Sequence, residues 1–225
     1  CASWATAAKR QNTAQCTPRP TRPGRFLLGF CYNAPMTDVT VRAATPADIP
    51  AITRIYAHAV RTGTATFELE PPDEAEMTRR MGALLEGQFP YLAAEIGRVL
   101  VGYAYAGLYR TRPAYRFTVE DSIYIDPGAQ RRGVGRALLK RLIEECERRG
   151  FRQMVAVIGD SAQVASIEMH RALGFRPSGN FENVGYKFGR WLDSVMMQRD
   201  LGEGALSVLD EGADVLAVIA GGGQG

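Results

Sequence analysis

The stretch IYIDPGAQRRGVGRALLKRL, residues 123–142, decides the fold. It reads as a strand, a turn with paired arginines and spaced glycines, and a helix. Glycines let a backbone approach an anion closely, and the free amides at the start of a helix attract it. The pattern Gln130-x-x-Gly133-x-Gly135 therefore indicates a phosphate-binding turn, with Gly135 expected to leave room for the anion. The alternative is a tight turn with solvated arginines.

Two common phosphate motifs do not fit this turn. A P-loop requires Gly-Lys-Ser/Thr, which the sequence lacks. A dinucleotide-binding fingerprint requires a third glycine after Gly133-Val-Gly135, and Leu138 occupies that place. A different kind of nucleotide site is therefore expected.

The pattern of apolar residues predicts a mixed α/β sheet with helices on both faces. Thr45-Pro-Ala-Asp48 resembles a capping box that begins the first helix. Strands are predicted at 39–44, 90–97, 98–109, 115–126, 151–159, 180–188 and 193–200. Helices are predicted from Ile49, over 73–87, over 133–149 and over 161–173.

Several motifs together resemble one protein family. The Gln-x-x-Gly-x-Gly turn after DSIYIDP and the downstream SIEMHRALGF, residues 166–175, are similar to the two hallmarks of the GNAT superfamily of N-acetyltransferases. TATFELEPP, YRFTVEDSIYID and NVGYKFGRWLD resemble its phosphinothricin and methionine sulfoximine/sulfone branch. The resemblance covers about residues 40–201 and implies a mostly antiparallel sheet with one splayed parallel pair.

The resemblance also implies acetyl-CoA as the co-substrate. The backbone at Ile123, Tyr124 and Ile125 would hold the pantetheine arm and polarise the thioester. The residues implied for the rest of the cofactor are Gln130, Arg131, Arg132, Gly133, Val134, Gly135, Arg136, Gln163 and Ser166. Gln163 stands where the family often has asparagine.

Transfer of an acetyl group to an amine requires removal of a proton from the ammonium. Glu120 is the candidate base, because burial beside the apolar run that begins at Ile123 would raise its pKa. The resemblance places the branch's proposed base at this glutamate; the alternative is a structural carboxylate paired with an arginine. His170 matches a histidine of the branch and is expected to help remove the proton or to lie near the thioester sulfur. The alternative is a packing histidine.

The acceptor site is predicted from basic residues before Glu120. Arg110, Arg112 and Arg116 follow at intervals of two or four residues, and an arginine suits a carboxylate by bidentate geometry. Tyr115 and Phe67 are expected to form walls of this site. A solvated basic loop is the alternative. Lys187, Arg190 and Trp191 lie in a branch-like segment, with packing or dimer contact as their expected roles.

Composition limits the partners. The formal net charge is +3, but the five basic residues before Asp38 have no acidic counterpart, which leaves 22 basic and 24 acidic residues elsewhere. A slightly acidic body makes nucleic acid an unexpected partner. The four cysteines form no Cys-x-x-Cys pair, so neither a metal site nor a disulfide framework is expected, and a reducing cytoplasm is the expected setting. No apolar run is long enough to predict a membrane span.

Three regions are predicted along the chain. Residues 1–35 lack an apolar period and are interpreted as upstream translation or a disordered extension before Met36, with an Arg-rich targeting segment as the alternative. Residues 36–201 form the acetyltransferase domain. Residues 202–225 form a Gly-rich tail that stays loosely attached or adds a strand.

The function expected is acetyl transfer from acetyl-CoA to the amine of a small amino acid or analogue, by direct attack. A homodimer is expected from the branch. The rival functions are a protein or peptide N-acetyltransferase and a non-catalytic CoA-sensing module.

Overall fold

The computed structural model describes residues 39–206. The strands within this range are β1 (Val39–Ala43), β2 (Tyr91–Ile96), β3 (Val99–Leu108), β4 (Thr118–Ile125), β5 (Gln153–Gly159), β6 (Arg176–Lys187) and β7 (Arg190–Asp200). The helices are α1 (Ile49–Thr62), α2 (Glu74–Glu86), α3 (Val134–Arg148) and α4 (Val164–Ala172). Short 3₁₀ turns lie at Pro46–Asp48, Pro113–Tyr115 and Pro127–Ala129.

The strands form one sheet in the order β1-β2-β3-β4-β5-β7-β6. Its neighbouring strands are antiparallel except for β4 and β5, which run parallel. This parallel pair is short: its register runs from Thr118↔Gln153 to Asp121↔Ala156. The predicted fold class is confirmed, including the splayed parallel pair.

Each face of the sheet carries its own hydrophobic core. On one face α3 buries Leu138, Leu139 and Leu142 completely, and this core includes Phe151 and Phe175. Truncating one such leucine to alanine typically costs about 2–5 kcal/mol of stability. This packing fixes α3, and with it the turn that precedes it, against β3 and β4.

The opposite face is covered by α1 and α2. Ile52, Ile55 and Val60 of α1 are buried in a second core, which also holds a cluster of tyrosines. The cluster comprises Tyr56, Tyr91, Tyr103, Tyr105 and Tyr124, whose rings contact one another in stacked or edge-to-face pairs. The side chains that follow Glu120 at every second position of β4 point to this face, because strand residues alternate.

Side chains at the helix starts explain where α1 and α2 begin. The predicted capping box is present: the Asp48 carboxylate accepts from the Thr45 backbone N–H at 2.7 Å, and the intervening proline opens a 3₁₀ turn before α1. Asp73 caps α2 by accepting from Glu76 N at 2.8 Å. Each cap satisfies a backbone donor that a helix end leaves without a partner.

Several element boundaries differ from the sequence-based prediction, and the largest differences lie at β4, at α4 and in the last hairpin. The strand expected over 115–126 begins only at Thr118, because Pro113 opens a 3₁₀ turn that ends at Tyr115. The helix expected from Ser161 begins at Val164. The last hairpin is longer than expected, since β6 begins at Arg176 and accommodates irregular register within its length.

The predicted extension over residues 1–35 and nearly all of the predicted tail lie outside the described residues. Residues 202–206 continue from β7 as a turn. Between Val39 and Leu206, no helix has the length and apolar character needed to cross a membrane.

Candidate active site

A cleft opens where β4 and β5 separate. Their pairing ends at Asp121 and Ala156, while β4 continues to Ile125 and β5 to Gly159. The cleft encloses about 470 Å³, including space open to solvent. Its lining residues are Ala65, Asp121, Ser122, Ile123, Tyr124, Ala156, Val157, Ile158, Gly159, Gln163, Ser166 and His170. Residues 122–124 of β4 border the cleft beyond the end of the pairing with β5, so an extended ligand arm could pair with their backbone there.

The glycine-arginine turn lies between β4 and α3. Asp126 begins it by accepting from Gly128 N at 3.0 Å and from Arg54 Nη1 at 2.7 Å. Arg131 and Gly133 adopt positive φ angles of 59° and 83°, which turns successive backbone amides in a new direction. Such a concave arrangement of amides is suited to an anion.

The start of α3 has free donors. Its first intrahelical bond runs from Ala137 N to Gly133 O, so the preceding helical amides have no intrahelical acceptor, and Gly133 supplies no side-chain cap. The side chains of Arg131, Arg132 and Arg136 are exposed around them. Free amides, the helix dipole and three guanidinium groups fit a pyrophosphate. Gln130 lies in the same turn, and Val134 and Gly135 are the first two residues of α3.

Gly135 corrects one expectation about this turn. A Cβ built there would lie 2.8 Å from Ile125 Cδ1 and 2.9 Å from the sulfur of Met169. The glycine therefore permits close packing of α3 on β4 and α4, rather than leaving room for the anion. At Gly133 a Cβ would meet nothing within 4 Å, and there the positive φ explains the glycine.

Glu120 is half-buried on β4, one residue before the cleft lining begins. Burial raises the pKa of its carboxyl, the negative charge of Asp121 adds to this rise, and the positive charge of Arg110 opposes it. A carboxylate with a raised pKa is a better proton acceptor near neutral pH than an ordinary one. No ion pair joins Glu120 to an arginine within 4 Å among residues 39–206, which disfavours the structural alternative.

His170 is buried against Asp121, a partner that the sequence analysis missed. Its Nδ1 lies 2.8 Å from the Ser166 carbonyl oxygen, and its Nε2 lies 3.1 Å from Asp121 Oδ2. A carbonyl oxygen only accepts, so Nδ1 carries a hydrogen. Burial alone would lower the pKa of His170, but the charge and hydrogen bond of Asp121, together with the Ser166 carbonyl, raise it overall. The arrangement favours an imidazolium.

Both ring nitrogens of His170 thus have protein partners. Any proton that His170 exchanges with the cleft must pass by way of Asp121 or Ser166. Asp121 Oδ1 is buried and has no hydrogen-bond partner among the described residues. The local signal for Asp121 in the sequence is a second acidic residue beside Glu120 in the middle of a strand.

Gln163 and Ser166 line the cleft, as predicted. The amide nitrogen of Gln163 donates to Thr64 Oγ1 at 3.0 Å. The NH₂ group of Gln163 is therefore partly engaged with the segment after α1. The Ser166 hydroxyl lies 3.5 Å from His170 Nδ1, which is long for a hydrogen bond.

The basic residues before Glu120 lie on a loop. Arg110, Arg112 and Tyr115 precede the start of β4 and are exposed. Arg110 stacks over Tyr109 at 4.2 Å and is close enough to Glu120 to lower its pKa. Arg116 lies over Phe117 at 4.5 Å. Arg110 is therefore the arginine of this group that an electrostatic effect connects to the candidate base.

Phe67 lies on the segment that follows α1. A Cβ at Gly185 would lie 2.4 Å from its ring, and one at Gly159 would lie 2.9 Å from it, so both glycines permit its position. Phe67 is 39% exposed. It forms part of the surface beside the cleft opening, because Gly159 lines the cleft and Ala65 precedes Phe67 by two residues.

Two other groups are unsuited to catalysis. Cys146 is completely buried in α3, and burial raises the pKa of its thiol, which suppresses the nucleophilic thiolate. His58 is exposed on α1, outside the cleft. Between Val39 and Leu206, no group of His, Cys, Asp and Glu side chains is placed to hold a metal ion.

Known proteins share this architecture and sequence. Residues 41–196 match the acetyltransferase (GNAT) domain family. The chain is 54% identical over 165 residues to phosphinothricin N-acetyltransferase of Alcaligenes faecalis, covering 73% of this chain and 84% of that protein. It is 42% identical over 167 residues to L-methionine sulfoximine/L-methionine sulfone acetyltransferase of Salmonella typhimurium, covering 74% and 97%.

A solved structure extends the comparison. The GNAT superfamily phosphinothricin acetyltransferase of Sinorhizobium meliloti, in complex with acetyl-CoA, aligns with a TM-score of 0.75 and 48% identity, covering 78% of this chain and 95% of that one. Its ligand agrees with the acetyl-CoA predicted from the sequence. The family prediction is confirmed, and the chain belongs to the GNAT family as an N-acetyltransferase.

Proposed function

We propose that the protein transfers acetyl from acetyl-CoA to the amine of a small amino acid or analogue of the phosphinothricin or methionine sulfoximine/sulfone type. The observation that carries this proposal is Glu120, half-buried at the edge of the β4–β5 cleft, with Arg110 near enough to shift its pKa. A carboxylate base and a guanidinium that act on each other through their charges suit a substrate that has both an ammonium and a carboxylate. The names of the Alcaligenes and Salmonella relatives support the same substrate class.

The donor side is assigned to the turn and to β4. The free amides at the start of α3, with Arg131, Arg132 and Arg136, would hold the pyrophosphate. The backbone of Ile123–Ile125, of which Ile123 and Tyr124 line the cleft, would pair with the pantetheine arm. Acetyl-CoA supplies an activated acetyl group as a thioester.

Glu120 is the base in this proposal. It accepts a proton from the substrate ammonium, which gives the nitrogen the lone pair it needs. The amine then attacks the thioester carbonyl directly, so that a C–N bond forms as the C–S bond breaks, and the sulfur leaves as a thiol after protonation. Backbone amides of β4 facing the cleft would stabilise the negative charge that develops on the carbonyl oxygen.

His170 and Asp121 have a supporting role. The buried pair holds a proton on the α3–α4 side of β4, whereas Glu120 points to the opposite face. Its place on the cleft lining would let it set the charge near the leaving sulfur, through Asp121 Oδ1 or the Ser166 hydroxyl.

The homodimer expected from the sequence is proposed to use the β6–β7 hairpin. This hairpin exposes Phe181, Val184, Tyr186, Phe188 and Trp191, each with at least 54% of its surface accessible. Contiguous exposed aromatic residues are typical of a protein interface.

A cytoplasmic location stays a prediction from cysteine usage.

The experiment that tests the proposed function is thiol release from acetyl-CoA with a panel of acceptors, checked by product mass. Phosphinothricin, methionine sulfoximine and methionine sulfone should be acetylated with kcat/KM well above that for lysine-rich peptides. Efficient acetylation of the peptides with none of the three amino acids would favour a protein acetyltransferase. CoA binding without turnover of any amine would favour a CoA-sensing module.

A further inference from the structure

Lys187, the last residue of β6, is a buried lysine whose partners are backbone carbonyls. Only 3% of its surface is accessible. Its Nζ donates to Gly63 O at 2.9 Å and to Thr66 O at 2.8 Å, which lie more than 120 residues away along the chain. Within residues 39–206, no carboxylate lies within 4 Å of this ammonium, so the two carbonyls are its direct compensation.

Both carbonyls belong to one short segment, Gly63–Phe67, here called the wall segment. Gly63 directly follows the C-terminal end of α1, where the helix dipole favours a positive charge. The wall segment has no regular secondary structure of its own. Its position therefore depends on side chains that reach it from elsewhere, and Lys187 supplies two of those contacts at once.

The wall segment borders the cleft. Ala65 is one of the cleft-lining residues, and Thr64 accepts the hydrogen bond from Gln163 on the opposite side. Phe67 packs over Gly185, two residues before Lys187 on the same strand. Strand β6 thus contacts the wall segment at two points. Lys187 donates hydrogen bonds to two of its carbonyls, and the Phe67 ring packs against the backbone at Gly185.

The wall segment directly follows α1, which covers the α1–α2 face of the sheet. The tyrosine cluster and the side chain of Glu120 lie on this same face. The anion-binding turn before α3 is held by other contacts, notably Arg54 on Asp126. Displacement of the wall segment should therefore disturb the acceptor more than the donor.

We infer that Lys187 is a positioning residue for the acceptor: it fixes the wall segment against the cleft so that Ala65 and Phe67 define the acceptor's space. This inference rests on the proposed function in that it assigns the acceptor to the Glu120 side of the cleft. Lys187 itself touches no reacting atom.

The test compares Lys187→Met with Lys140→Met. Both variants replace a lysine by an unbranched apolar side chain, but Lys140 is exposed on α3. Loss of two hydrogen bonds from a charged donor should raise the KM for the acceptor about tenfold or more in Lys187→Met. The KM for acetyl-CoA should stay within about twofold, and Lys140→Met should match the wild type.

A second variant leaves Lys187 in place. Gly185→Ala introduces a Cβ that Phe67 must move to accommodate. It should raise the KM for the acceptor in the same selective way, and it keeps the inference testable if Lys187→Met does not fold. Hydrogen exchange measured by mass spectrometry should show faster exchange over residues 63–67 in Lys187→Met, with the turn over residues 130–136 unchanged.

Equal rises in both KM values, or a folded Lys187→Met with unchanged kinetics, would overturn the inference. Failure of the wild type on all three amino acids would count against the proposed function instead, and the comparison of KM values would then use whichever amine is acetylated. An unchanged exchange rate over residues 63–67 would also overturn the inference, whatever the substrate.

Discussion

His170 Nε2 lies 3.1 Å from Asp121 Oδ2, and at least 96% of each side chain is buried. A charge pair so deep is stabilising only when each member has its partner, because removal of one leaves the other charged and desolvated. The pair joins α4 to β4 beside the cleft. The protonation of His170 should therefore change the free energy of unfolding of the protein.

The pair predicts a specific pH dependence of stability. The pKa of His170 is raised in the folded state, so its contribution is complete below the ordinary histidine pKa of about 6.5 and is lost as the pH rises through the folded pKa. Asp121→Asn should remove most of this dependence. Urea unfolding of both proteins between pH 6 and pH 9 measures it. A wild-type free energy of unfolding that rises through this range, with Asp121→Asn rising in parallel, would contradict the prediction.

Glu120→Gln should lower kcat/KM by roughly 10²–10⁴-fold, the usual effect of losing a positioned base. The defect should shrink at high pH, where more of the substrate amine is already neutral. The wild-type profile should also show an acidic limb at a pH above the ordinary glutamate pKa, because burial raises the pKa of Glu120. Glu144→Gln, on the exposed surface of α3, is the matched control. A defect of equal size at every pH would indicate a structural glutamate.

Short-range features of the fold were predictable from the sequence. The capping box at Thr45, the turn before α3 and the apolar period of α3 are local patterns, and the structure has each of them close to its expected place. The start of β4 was less predictable, because the 3₁₀ turn that Pro113 opens delays the strand from the predicted residue 115 to Thr118.

Contacts between distant segments could not be predicted in this way. Asp121 and His170 are 49 residues apart, and the alternation of β4 gives no indication of which helix will cover Asp121. Lys187 and Gly63 are separated by 124 residues, so a lysine in a strand gave no sign of its carbonyl partners. The motif puts Gly135 at the start of α3, where the structure has it, but nothing in the motif indicates that Ile125 and Met169 pack against this glycine.

Variants of the anion-binding turn should separate affinity from stability. Arg132→Ala removes an exposed charge and should weaken CoA binding severalfold without a change in melting temperature, measured by calorimetry and thermal unfolding.

Gly135→Val should lower the melting temperature, because its side chain would meet Ile125 and Met169 at under 3 Å. A fully stable Gly135→Val would contradict the packing explanation.

The proposed dimer makes a prediction about Trp191. Its side chain is 60% exposed and contacts Tyr186 edge-to-face on the β6–β7 hairpin. Trp191→Ala should raise the dimer dissociation constant by about tenfold or more, since aromatic residues dominate interface energetics. Analytical ultracentrifugation across a concentration series measures this. A wild-type protein that sediments as a monomer at all concentrations would exclude the interface.

The central claim is that the cleft beside Glu120 takes the amine of a free amino acid and recognises its carboxylate. The most direct measurement is the ratio of kcat/KM for methionine sulfone to that for its methyl ester, in the wild type and in Arg110→Ala, with Arg98→Ala as an exposed control. The wild type and the control should prefer the free acid by at least tenfold, because an arginine left without its anion loses a charge-assisted pair. Arg110→Ala should raise the KM for the acid and nearly remove the preference. Equal kcat/KM for acid and ester in the wild type would contradict the account.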